Sequence, residues 1–167
     1  MSDELKIYVA CLASYNSGIL HGRWIDISDG LDDCEIEMEI QEMLETSPSP
    51  GAEEWAIHDW ETPVRVYNLG EHHSLGELET ISRNFAEYGN MFLYIWEHMG
   101  GPVDNMRDYC ENSTIWSDWD EIIDGYLETF DVKPPVSYYI DEDKLRRDLE
   151  INGTYIETDD RIVEIHG

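Results

Sequence analysis

LDDCEIEMEIQEML, Leu31 to Leu44, is the stretch on which the fold turns, because two periods compete within it. Cys34, Ile36, Met38 and Ile40 alternate as in a strand, whereas Ile36, Ile40, Met43 and Leu44 recur at helical spacing. Glu, Met, Leu and Gln favour helix and the run is long for a strand, so a helix is expected. Ser28-Asp29-Gly30 leads into it and Ser47-Pro48-Ser49-Pro50-Gly51 ends it. On either side the pattern turns to strand: Lys6 to Leu12 and Ile19 to Ile27 flank a polar turn at Asn16 to Gly18 and read as a hairpin-like start, and Glu54 to Trp60 reads as a third strand, ended by Pro63.

Further along, Ser74-Leu-Gly-Glu77 has the capping-box pattern, and Leu75, Leu78, Ile81, Ser82 and Phe85 continue a helical stripe. A second helix through Met91 to His98 stops at Gly100-Gly101-Pro102. Val103 to Glu111 and Trp116 to Phe130 read as helices, Lys133-Pro134-Pro135 breaks the chain, and Asp141 to Leu149 is a short charged helix. Thr154 to Thr158 and Arg161 to Ile165 close as a hairpin about Asp159-Asp160. The expected class is α+β in three small subdomains: 1–62, an N-terminal antiparallel sheet with an acidic helix; 63–102, a central helical piece; and 103–167, helices with a small sheet. Pieces of this size are marginal alone, so they are expected to pack end to end in an elongated row.

Charge dominates the composition: 10 Lys+Arg oppose 38 Asp+Glu over 167 residues, a formal net charge of −28. Such a field repels nucleic acid, anionic membranes and acidic substrates, and a basic partner is expected. Acidic chains poor in aromatics tend to stay disordered, but 6 Trp, 10 Tyr and 3 Phe within a 41% hydrophobic composition supply material for a core. The longest wholly apolar run, Met91 to Trp96, is far below the ~20 residues that span a membrane, and no basic-plus-apolar leader opens the chain. A soluble, cytoplasmic protein is expected, with Cys11, Cys34 and Cys110 as free buried thiols.

No dinucleotide fingerprint, P-loop, nucleophile elbow, H-E-x-x-H or C-x-x-C is present, so neither catalysis nor a cofactor is expected. His58-Asp59 could be a base with its orienter, but adjacent strand residues point to opposite faces. His72-His73 reads as a polar loop rather than a metal site. An EF-hand loop about Gly30 would place Ile25 at its first ligand position, and Asp141-Glu-Asp143 lacks a loop glycine, so no metal site is expected.

The acids fall in two blocks. Residues 31–60 hold ten acids and no base, and residues 101–130 hold eight acids and one base, Arg107. In the first block Glu35, Glu39 and Glu42, with Glu45 beside them and Asp32 and Asp33 ahead, lie on one side of the expected helix, followed by Glu53 and Glu54. With no Lys or Arg between Arg23 and Arg65, their repulsion has no local relief. The second block is Asp104, Asp108, Glu111, Asp118, Asp120, Glu121, Asp124 and Glu128. Carboxylates at i and i+4 stand about 6 Å apart along a helix, comparable with successive phosphates of one strand. Twenty-eight charges match the charge on about 48 Å of duplex. These sixteen acids are the candidate partner-binding residues, standing in for phosphates in the groove of a DNA-binding protein.

IYVACLASYNSGILHGRWIDI (Ile7 to Ile27), SPSPGAEEWAIHDWE (Ser47 to Glu61) and SYYIDEDKLRRDLEINGTYI (Ser137 to Ile156) together resemble the ArdA antirestriction proteins. The resemblance implies a protein of mobile genetic elements with three domains in a curved, elongated shape. It also implies inhibition of type I restriction-modification enzymes by imitation of B-form DNA, the acids occupying the groove of the specificity and methyltransferase subunits. It further implies a homodimer joined through the C-terminal part and an antirestriction motif near Asp118 to Phe130. Two other expectations stand beside it: an acidic module that sequesters a different basic DNA-binding protein, and a hydrolase using a carboxylate pair. Mimicry predicts that a single change such as Glu39→Gln does little.

Overall fold

The computed structural model describes residues 4–67 and 69–166. It is α+β, with two three-stranded antiparallel sheets, one near each end of the chain, and seven α-helices. The chain divides into two compact units, 1–107 and 108–167, so the expected segments 1–62 and 63–102 lie together in the first.

In the first unit β1 (Lys6–Cys11) is central, with β2 (Gly22–Asp26) and β3 (Trp55–Glu61) antiparallel on either side. Lys6 opposes Asp26 on one side and Glu61 on the other, and a bulge at Tyr8/Val9 shifts the second register. Between β1 and β2 the chain forms a short helix, α1 (Leu12–Asn16), where only a turn was expected, and the second strand starts three residues later than Ile19. Gly22 is required there: a Cβ would stand 2.5 Å from the Val9 carbonyl oxygen and 2.8 Å from the Tyr8 ring.

The deciding stretch is a helix, α2 (Asp33–Glu45). Ile36, Ile40, Met43 and Leu44 are buried, while Cys34 and Met38, half of the competing strand pattern, are exposed. The apolar stripe lies against β1, β2 and the next helix, α3 (Leu75–Tyr88). Helix α3 begins at the expected capping box, and α4 (Asn90–Met99) buries Phe92, Leu93, Ile95 and Trp96. The core joins these to Leu5, Ile7, Val9, Ile25, Ile27 and Ile57. A 3-10 turn, Val103–Asn105, leads into α5 (Met106–Glu111).

In the second unit β6 (Ile162–Ile165) is central, between β4 (Ser113–Trp116) and β5 (Thr154–Glu157). The expected closing hairpin is β5 and β6. The expected helix 116–130 is α6 (Trp119–Thr129); ahead of it Ser113 to Trp116, where only Trp116 was expected to be structured, form strand β4, paired with Ile165 to Ile162. The charged helix is α7 (Glu142–Asn152). Trp119, Ile122 and Ile162 form the core here, with Trp116, Leu149 and Tyr155 packed against them. Of the three free cysteines Cys11 and Cys110 are buried, but Cys34 is exposed, because it falls outside the apolar stripe of α2.

Candidate functional site

The first acidic block does three different things. Asp32 and Glu35 cap α2: an Asp32 carboxylate oxygen accepts the Glu35 N–H at 2.8 Å, and Glu35 accepts the Asp32 N–H at 3.0 Å. Glu39 and Glu42 are neutralised from outside the helix. Strand β2 carries Arg23 alongside α2, where one guanidinium nitrogen, Nη1, donates to Glu39 at 2.8 Å and to Glu42 at 3.0 Å. The expectation that this helix finds no relief is therefore wrong, because strand packing supplies a cation that no neighbouring sequence position holds. Both pairs raise the Arg23 pKa, the hydrogen bond to Glu42 first and that to Glu39 second.

A second row of acids along α2, which passes beside Glu42 at Glu45, is different. Asp33, Glu37, Gln41 and Glu45 recur every four residues, all exposed, and among the described residues no cation pairs with these three acids. Glu37 is not among the sixteen acids expected from the sequence, although its four-residue interval from Asp33 marks it. Glu53 and Glu54 are exposed on the segment entering β3, and Asp104 is exposed on the 3-10 turn.

In the second unit, Asp108 and Glu111 are exposed on α5. Asp118 caps α6 by accepting the Glu121 N–H at 2.9 Å, and Glu121 accepts the Ser117 N–H at 2.7 Å. The exposed Asp120, Asp124 and Glu128 then stand at i, i+4 and i+8 on one helix face. Asp124 and Glu128 line a cleft of about 580 Å³ together with Asp131, Lys133 and Pro134. Of the sixteen expected residues, the structure thus assigns Asp32, Glu35, Asp118 and Glu121 to caps and Glu39 and Glu42 to an internal cation. The rest are exposed and distributed over both units.

Local electrostatics follow from this density. Lys6, Arg23, Arg83, Arg107, Lys133, Arg146 and Arg161 each sit against a carboxylate of this chain. Asp32, Asp33 and Cys34 bring donor atoms within 4.8 Å of one another, and the hydrogen bond to Asp33, then the charges of Asp33 and Asp32, push the Cys34 thiol pKa up. His58 lies edge-on to Tyr15 at 4.7 Å, while the Asp59 carboxylate accepts the Trp60 N–H at 2.9 Å, so the two do not act as base and orienter. His73 is wedged between Trp60 and Trp96 at ring distances of 5.7 and 6.2 Å, and burial lowers its pKa. Among the described residues no helix is long and apolar enough to cross a membrane.

What the arrangement offers a partner is fixed negative charge on helix faces, at regular spacing and in two separate blocks. No curated protein matches the chain. The sequence model of the ArdA antirestriction proteins matches residues 7–164, taking in both sheets and every helix described above, and the chain belongs to the ArdA antirestriction protein family.

Proposed function

We propose that this antirestriction protein imitates B-form DNA and inhibits type I restriction-modification enzymes by filling the groove between their specificity and methyltransferase subunits. The observation that carries the reading is two rows of exposed acids, Asp33, Glu37 and Glu45 on α2 and Asp120, Asp124 and Glu128 on α6, which form no ion pair among the described residues. Carboxylates left exposed four or eight residues apart, about 6 or 12 Å along a helix, cost stability through mutual repulsion, and a Lys- and Arg-lined groove would recover it. Inhibition is competitive occupancy without a catalytic step, in the cytoplasm where the restriction enzyme works.

The protein acts as a homodimer on this reading. Phe130, Val136, Tyr138, Tyr139 and Ile151 are exposed in the second unit, Tyr138 and Tyr139 at 77% and 87%, and a second copy could cover them. Five of the ten bases also lie in residues 131–167, which softens the repulsion between two like-charged copies.

The test is a cleavage assay. Purified protein added to a type I enzyme and unmodified plasmid stops cleavage, and excess competitor DNA added first prevents the inhibition. Undiminished cleavage at a large excess of protein would contradict the proposal.

A further inference from the structure

We propose that Arg23 is an internal counter-cation that withholds Glu39 and Glu42 from the partner, so that α2 meets it through its other flank, Asp33, Glu37 and Glu45. This rests on the reading of the acidic surface as a partner-binding one. Among the described residues Arg23 is the only base paired with an acid of the first block. Its position is fixed by the sheet: Arg23 lies opposite Val9 in the β1–β2 ladder, and α2 packs beside β2. A single guanidinium nitrogen bridges both carboxylates, at 2.8 and 3.0 Å, the place that a partner's Lys or Arg would otherwise take. Arg23 is itself only one-third exposed, its side chain at 35%, against 46% and 62% for Glu39 and Glu42, and it takes one oxygen of each carboxylate, so an incoming cation meets the remaining oxygens against the repulsion of the guanidinium.

The consequence runs against simple charge counting within the same block. Glu39 and Glu42 lie at i and i+3, and they are the two acids of the helix already paired with a cation of this chain. Arg23 therefore specifies which flank is read and lowers the affinity of the block for cations. Removing it opens two further carboxylates.

Arg23→Gln, Arg23→Lys and the triple variant Arg23→Gln/Glu39→Gln/Glu42→Gln test this in two assays: displacement of labelled DNA from a type I methyltransferase, and direct binding of hexa-arginine. Arg23→Gln is expected to improve both at least threefold and to steepen the dependence of log affinity on log salt by about one to two. Arg23→Lys stays near wild type, and the triple variant returns close to it. A purely structural role for Arg23 would lower the melting temperature without improving either affinity. Arg23→Gln no better than wild type in hexa-arginine binding, while folded by circular dichroism, overturns the proposal. Wild type that displaces no DNA, combined with tighter hexa-arginine binding by Arg23→Gln, overturns the DNA-mimic reading and leaves the withholding role standing.

Discussion

At the scale of single residues, two titrating groups report on their surroundings. The Nε2 of His73 accepts the Gly70 N–H at 3.4 Å, and its buried Nδ1 has no hydrogen-bond partner, with Glu77 3.9 Å away. Burial lowers the His73 pKa from 6.5, opposed only in part by Glu77. As pH falls through about 6.5 the unfolded chain takes up the proton first, so stability held by the neutral ring above that pH is lost on acidification. His73→Gln is expected to remove this loss: between pH 7 and pH 5 the melting temperature of wild type should fall relative to the variant, and parallel curves would contradict the assignment. Glu77, whose pKa is lowered by hydrogen bonds from Ser74, loses its contribution only below 4.5, outside that window. Cys34 is exposed, yet Asp33 holds its pKa above 9.0, keeping the thiolate scarce. Asp33→Asn should therefore speed its reaction with a thiol reagent at pH 8, measured as a pseudo-first-order rate; an unchanged rate would show that the neighbouring acid does not govern the thiol.

At the scale of elements, caps and stripes carry the local stability. Ser74 accepts the Glu77 N–H at 3.2 Å and Glu77 returns a bond to the Ser74 N–H at 2.8 Å, so Ser74→Ala should cost about 1 kcal/mol in chemical denaturation. Ile40, 1% exposed in the middle of α2, should cost about 2–5 kcal/mol when truncated to Ala, whereas Met38, on the water side, should cost far less. A similar cost at both would mean that the helical reading of 31–44 is wrong. This contrast also marks what the sequence could tell. The stripe of α2, the box at Ser74 and the closing hairpin are local patterns, visible within a dozen residues. Strand β4 is four residues long and pairs with β6 across about fifty positions, too short for a local pattern to mark it: Ser113 to Ile115 fall between two expected helices, and Trp116 reads as the first residue of the second. Arg23 reaches Glu39 and Glu42 only because β2 is placed beside α2, a relation that no spacing rule contains. The acidic block was legible; its division into capping, neutralised and open carboxylates was not.

At the scale of the whole molecule, a formal net charge of −28 opposes compactness and, on the proposed reading, governs recognition. Raising salt from about 10 to 150 mM shortens the Debye length from about 30 to 8 Å and screens self-repulsion, so the melting temperature should rise over that range. A fall would mean that the ion pairs of Arg23, Arg83, Arg107 and Arg146 outweigh the repulsion. Recognition has the opposite salt dependence. If many exposed carboxylates share the contact, neutralising Asp120, Asp124 and Glu128 one after another should weaken binding in steps, with no single change abolishing it. The central claim is tested most directly by displacement of labelled DNA from a type I methyltransferase at several salt concentrations. Stoichiometric displacement at low salt, with affinity falling steeply as salt rises, is the predicted result. DNA that stays bound at low salt in the presence of excess folded protein would contradict it.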